Sequence, residues 1–421
     1  MKLRTKSWPV AAALSAVLAG SVASAQTPAA STDPPLTVRV SLKSSALFSR
    51  APDASWLFPS RNSATGFWRA RVEPNWRLSD RVSFDAAYEQ RLRVFSSTSS
   101  ALGAGVLPQE ADPPYRLTAL DWTLSSGAHV SWRHEIDRAA MHLRLPATEI
   151  TMGRQAIGWG RGVLFSAVDV FAPFSPLEAD REWRRGIDAV RADVKLTERA
   201  SIEGVGAFGR RPSESVYAVR VRGYTDAIDV EATAGRRARD RFAGLTTSFA
   251  LGGAELHGEA AIFRTPAADG SVFFARPRTV TKAVVGGSYR FALGAGLLVE
   301  AEYHYSGFGA TSAHDTIALL TDAEFARRYL RGDTQILSRH ALAAIGSYEW
   351  SPLLSGGIEL IYNPVDHSGL VVPSLTVTPG DRWSLLLSAY APFGRKPDPL
   401  AIRSEYGLTP MAAFAQVRVY R

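Results

Sequence analysis

The residues of this chain best suited to chemistry lie in GRQAIGWGRGVLFSAVDVFAPFSPLEADREWRRG, residues 153–186, which holds nine charged side chains, six of them in the last nine positions. Arg154 and Gln155 stand at its start, Trp159 follows, and Asp169, Glu178, Asp180, Arg181, Glu182, Arg184 and Arg185 supply both signs of charge. An arginine keeps its charge at any working pH, and its fork fits carboxylate or phosphate. Two readings of Arg154 follow. It draws anions into an aqueous passage, or it pairs with Asp169, Glu178, Asp180 or Glu182 and fixes the segment in place.

A second set lies in two neighbouring runs. Arg69, Arg71, Arg77, Arg81, Arg91 and Arg93 fall on one face, diluted by Glu73, Asp85 and Glu89, while Glu300 and Glu302 place negative charge elsewhere. Such a distribution is a filter for charged or zwitterionic solutes, or an interior surface satisfied by its own ion pairs; the two are compatible.

Catalytic chemistry has little to build on. Four positions after His134, where a second zinc-binding histidine would stand, the chain has Arg138. No nucleophile elbow, phosphate loop or dinucleotide fingerprint occurs. Ser131, Ser166, His142 and His257 are available in type, but eight scattered histidines favour no pair. We therefore expect no enzyme, cofactor or metal. Cysteine is absent, which excludes disulfides and thiolate zinc sites.

The elements that carry these residues alternate with period two. In residues 66–78, Trp68, Ala70, Val72, Trp76 and Leu78 share one face, and Arg69, Arg71, Glu73, Asn75 and Arg77 the other. The run after Ser79-Asp80 repeats this, with Val82, Phe84, Ala86, Tyr88, Leu92 and Val94 opposite the charges. Pro74 removes one ladder hydrogen bond. Alternation alone fits a soluble sandwich or a membrane barrel, and length decides. Many runs reach 10–14 residues, against about 5–6 for soluble strands and roughly 9–11 for tilted membrane strands. Eighteen runs are expected, from 37–48 to 411–421, with short turns alternating with connections that are mostly long; 16 is the alternative count. The fold class is an all-β, antiparallel, transmembrane outer-membrane barrel over residues 36–421. A girdle of aromatics is expected from Trp68, Trp76, Tyr224, Phe291, Tyr305, Trp350, Trp383 and Tyr390. In the long segment 307–336, Thr321 and Glu324 fit a capping box for a short surface helix.

The first 25 residues read as an export signal, with Lys2, Arg4 and Lys6 ahead of an apolar run and Ala23-Ser24-Ala25 at the cleavage site. Residues 26–35 form a flexible leader. Removing the signal lowers the net charge from +8 to about +5, too modest to suggest nucleic acid.

The positions Gly153-Arg154-Gln155, Trp159-Gly160, Pro173 and Arg185-Gly186-Ile187-Asp188 resemble the central signature of poorly characterised porin-like outer-membrane proteins of Gram-negative bacteria. They are loosely similar to alginate and other exopolysaccharide export barrels. The match covers about 35 of 421 residues. The resemblance implies a loop folded into the lumen as a constriction or plug, with Arg154, Gln155, Trp159 and Arg185 in that role. It implies outer-membrane lipids, lipopolysaccharide and the barrel assembly machinery as partners, and a polar solute or polysaccharide as cargo. Passive passage and polysaccharide export are the two expected activities, and an oligomer stays open. The chain departs from such barrels at its end, where Arg421 follows Tyr420 in place of a terminal aromatic residue.

Overall fold

The computed structural model describes residues 35–96, 106–108, 113–313, 315–398 and 401–421. The signal expected over 1–25 and all but the last residue of the leader expected over 26–35 lie outside them.

The strands in chain order are β1 Leu36–Arg50, β2 Asn62–Arg77, β3 Val82–Phe95, β4 Asp121–Ser126, β5 Val130–Arg144, β6 Thr148–Gln155, β7 Ile187–Thr197, β8 Ala200–Ala207, β9 Val216–Tyr224 and β10 Ile228–Arg237. They continue with β11 Asp240–Leu251, β12 Ala254–Thr265, β13 Arg278–Phe291, β14 Leu297–Ser306, β15 His340–Ser351, β16 Leu354–Asn363, β17 Ser368–Gly380, β18 Trp383–Phe393 and β19 Met411–Tyr420. Eighteen of them form one closed antiparallel wall, β4 set apart, and β1 joins β19 from Ser41↔Tyr420 to Arg50↔Met411. Closure leaves no unpaired edge, the condition for sheet in lipid.

β4 was not among the expected runs. DWTLSS pairs with residues 131–135, on the side of β5 where β6 pairs lower down with 139–144. β6 leaves the wall at Gln155, and the segment leading into β4 takes its place: Asp188 donates its amide to the Tyr115 carbonyl, and Ile136 to that of Leu120. At Pro74 the β2–β3 ladder skips from Val72↔Tyr88 to Asn75↔Asp85, the local cost of a residue without an N–H.

Outward faces are apolar: Val40, Leu42, Val219, Leu245, Ile262, Val285, Ile358, Val417 and Val419 are all exposed. Trp68, Trp76, Phe291, Trp350 and Trp383 join them, as expected of a girdle. Tyr305 shares the outward register of Tyr303 but is half-buried, and two expected members do not join them. Tyr390 is buried inside against Ile361, Leu370 and Phe414, and Tyr224 shares the register face of Arg220 and Arg222.

The interior also differs from expectation. Towards the long-loop end the inward face is apolar, with Val205, Val216, Phe242, Phe263 and Val280 buried against Trp159, Val168, Val170 and Phe171 of the central segment. Leu164, Phe165 and Ala167 pack in a second cluster with Leu47, Phe67, Val284, Ile361 and Phe414. Each fully buried ring contributes about 1.5–3 kcal/mol, so the segment is held as a core.

Two helices, α1 Asp315–Thr321 and α2 Ala323–Leu330, lie in the β14–β15 connection. The cap of α2 is Asp322, accepting from the Glu324 and Phe325 amides, in place of the expected Thr321; Thr321 ends α1, where its hydroxyl donates to the Ala318 carbonyl. Nor is α2 a plain surface helix. Phe325 and Arg328 are buried, and Arg328 bridges Asp240 and Asp333 at 2.7 and 3.1 Å.

Candidate functional site

Residues 156–186 enter the lumen between β6 and β7, and the exit is made by glycine. Gly153 has φ +119° and a side chain there would meet the Ala139 carbonyl at 2.2 Å; Gly160 has φ +102°, with Ser166 Oγ and Glu259 Oε1 at 2.5 and 2.6 Å. Both conformations suit a residue without Cβ.

The first half of the loop rests on two buried carboxylates of the far wall. Glu259 on β12 accepts the amides of Arg161, Gly162 (2.8 Å), Ala167 (2.7 Å) and Val168 (3.3 Å), and the Ser166 hydroxyl at 2.9 Å. Glu302 on β14 accepts the amides of Val163, Leu164 (3.0 Å) and Phe165 (3.2 Å), and His257 Nε2 lies 3.0 Å away. Amides turned towards one anion form a nest, so these acids bind main chain whatever its side chains. Beside them Trp159 donates to Glu203 at 3.2 Å and lies under Arg220. Arg161 reaches Asp229 at 3.0 Å.

The second half uses side chains. Lys43 on β1 bridges Asp180 and Glu182, each at 2.7 Å. Trp183 carries three cations around its ring, with Lys43, Arg69 and Arg71 at 3.7, 4.7 and 5.1 Å from its centroid. Arg185 meets Glu135 at 3.4 Å, and the Gly186 amide donates to Asp137 at 2.9 Å. Arg181 donates to the Pro176 carbonyl and lies 3.7 Å from Glu359. Arg184 pairs with Asp169. Burial alone raises the Asp180 carboxyl, but Lys43 and Arg69 more than reverse this and hold it at about 2. Burial raises that of the half-buried Glu178 to about 7.

The expected site residues therefore separate. Arg69, Arg71, Glu89 and Arg91 do meet inside, with Arg69 and Arg71 at 2.8 and 3.1 Å from Glu89, Arg71 at 2.8 Å from Asp137 and Arg91 at 2.6 Å from Glu135. Arg93 binds the Pro108 carbonyl at 2.9 Å. Arg77 ends β2 at the short-turn side. Arg81 is no wall residue, since it sits exposed in the turn before β3. Glu302 carries the loop and is not part of an open acidic stripe; Glu300, two residues earlier, is half-buried. Arg154 pairs with none of the four acids expected for it. It grips Asp188 at 2.7 Å and the carbonyls of Ile136 and Thr118, while Gln155 binds those of Thr151 and Ala189. Both fasten the wall where β6 gives way.

Sequence reading missed Lys43, Glu135, Asp137, Trp183, Asp188, Glu203 and Glu259. The inward register of Lys43, Glu135, Asp137, Glu203 and Glu259 was legible in the alternation, their partners were not, and Trp183, in the loop, and Asp188, on the face opposite buried Ile187 and Ala189, had no such signal. Of the serines and histidines suited to catalysis, Ser166 is taken by Glu259, His257 by Glu302 and His142 by Asp85.

Solved structures share this architecture. OccAB4 of Acinetobacter baumannii superposes with a TM-score of 0.57 at 10% identity, over 93% of this chain and 99% of that one. The barrel has the fold of outer-membrane porins. OccK9 (OpdG) of Pseudomonas aeruginosa matches at 0.54 and 10% identity, covering 91% and 98% of the two chains, and the outer membrane protein opdK of the same organism at 0.53 and 10%, covering 91% and 99%. The likeness to alginate exporters suggested by the central signature finds no support in these porin-fold neighbours. No family model and no curated protein matches in sequence.

Proposed function

We propose that the protein is a passive, non-enzymatic channel of the outer membrane of a Gram-negative bacterium, passing small polar or charged solutes. The observation that carries this reading is the loop 156–186, which crosses the lumen from Gln155 to β12, β14, β1 and β5 and is fastened at each wall. Charges of both signs on this loop remain partly solvent-accessible, among them Arg161, Arg181 and Glu182. We assign the constriction to them, with Asp169, Asp180 and Arg185 as its supports. Arg154, Gln155 and Trp159 act as anchors.

In this reading residues 1–25 are removed on export, the barrel assembly machinery inserts residues 36–421, and lipopolysaccharide surrounds the outer half. Nothing in the site favours polysaccharide export. Purified protein in planar bilayers is expected to give discrete conductance steps with a measurable anion/cation ratio. Absence of any current from correctly inserted barrels overturns the proposal, and loss of a surface glycan on gene deletion would replace it with export.

A further inference from the structure

The outer face of β9–β13 carries an arrangement the lumen does not explain. At the long-loop end, Tyr217, Arg236, Arg241, Arg264 and Thr279 are consecutive cross-strand neighbours, Tyr217↔Arg236, Arg236↔Arg241, Arg241↔Arg264 and Arg264↔Thr279. All five are exposed. They alternate with buried inward residues, Arg237, Asp240, Phe242 and Phe263, so their side chains leave the barrel on the lipid side. Three arginines stand directly opposite one another on adjacent strands.

Like charges so placed repel, and no described residue pairs an acidic group with any of the three. Arg236 donates to the Ala238 carbonyl at 2.7 Å, a neutral acceptor. Arg241 and Arg264 have neither ion-pair nor hydrogen-bond partner among the described residues. The adjoining Asp240 is buried and already bound by Arg328 and Arg331. Adjacent strands lie about 4.8 Å apart, so the three guanidinium groups can converge on one multivalent anion.

The rows beneath name the rest of the ligand. Immediately below come Val219, Ala234, Ala243, Ile262 and Thr281, and below those Val221, Ala232, Leu245, Ala260 and Ala283. A strip of apolar wall thus descends from the arginines in the same register. An anion tethered to hydrocarbon fits both parts, whereas a solute of the lumen meets neither.

We propose that Arg236, Arg241 and Arg264 bind the phosphate of a phosphorylated glycolipid of the outer leaflet, whose acyl chains lie on the apolar rows below. Tyr217 and Thr279 flank the phosphate with hydroxyl groups. The proposal rests on the outer-membrane reading above, and names which wall of the barrel holds lipid and through which group.

The test uses full-length mature protein, delipidated in detergent and titrated with bisphosphorylated lipid A, dephosphorylated lipid A and inorganic phosphate, with binding read by native mass spectrometry. A surface cation is worth roughly fivefold in such binding. R241A is therefore expected to weaken the bisphosphorylated lipid about fivefold, and R236A/R241A/R264A on the order of a hundredfold. R199A, at the opposite end of the barrel, changes nothing. Equal binding by wild type and either arginine variant, equal binding of the dephosphorylated lipid, or saturation by inorganic phosphate without competition from lipid overturns the proposal. Heat-modifiable migration shows each variant is folded, and if the triple variant fails this check R241A decides alone. Conductance of wild type in bilayers free of phosphorylated glycolipid tests the channel separately, so one reading can fail while the other stands.

Discussion

The two halves of the lumenal loop are held by different chemistry. Residues 161–168 present main-chain amides to Glu259 and Glu302, while residues 180–186 present charged side chains to Lys43, Arg69 and Glu135. The first mode asks for no charged side chain on the loop, and GVLFSAV contains no charge at all. The second is written in the loop itself. In the proposed channel, the amide-held half can therefore fix the position of the loop while most of its charges lie in the other half.

The largest effect should come from the amide side. E259A with E302A leaves several buried N–H groups without acceptors, each costing ~1–3 kcal/mol. The loop is expected to leave its seat, giving larger, noisier single-channel currents and protease cleavage between residues 160 and 170. Quiet currents with an uncut loop would erase the contrast between the halves.

Next is K43M, which removes the shared partner of Asp180 and Glu182. Breaking a buried pair costs about 3–5 kcal/mol, and here less, because Asp180 keeps Arg69 at 3.9 Å and Gln416 at 3.4 Å. A lower midpoint of heat-modifiable migration, partly restored by K43R, checks this.

A pH titration sharpens the comparison within the charged half. Asp180, held at about 2, contributes stability that is complete above the ordinary aspartate value and is lost as pH falls towards 2. Glu178, raised to about 7, behaves oppositely: its neutral form is the one the folded loop prefers, and that contribution is lost as pH rises through 7. Cation preference is expected to rise between pH 6 and 8 as Glu178 gains charge, and E178Q should flatten the profile. A wild-type ratio that does not move across this window counts against the assignment.

The smallest effect is W159F. It deletes the 3.2 Å bond to Glu203 but leaves that carboxylate with Arg220 and Arg191, so a loss of about 1 kcal/mol is expected, read as a small shift in denaturant midpoint.

How much of this was legible follows the same division. The inward arginines of β2 and β3, the count of wall strands and the outward tryptophans came from alternation together with strand length and the alternation of short and long connections. β4 escaped because DWTLSS is short and follows a long irregular stretch, although Trp122 and Leu124 already alternate with Thr123 and Ser125. Glu302 was legible as an inward acid, but its role was not, since the groups it binds are amides and carry no sequence identity. The partner of Arg154 was sought among the nearby loop acids, yet Asp188, facing it across the β6–β7 ladder, is closer in space.

The sequence by itself determined a wall of long two-faced strands, because the side-chain period of a strand is local and each residue's face is fixed by its neighbour's. It also marked residues 158–186 as a long connection outside that wall. Only the tertiary structure decided where the loop goes, since Arg161 meets Glu259 across 98 positions and Val163 meets Glu302 across 139. Such contacts depend on the diameter at which the barrel closes and on the path of a chain with no period. The register of the β10–β11 and β11–β12 hairpins set Arg236, Arg241 and Arg264 side by side, three residues that alternation alone places on a face but not in a row.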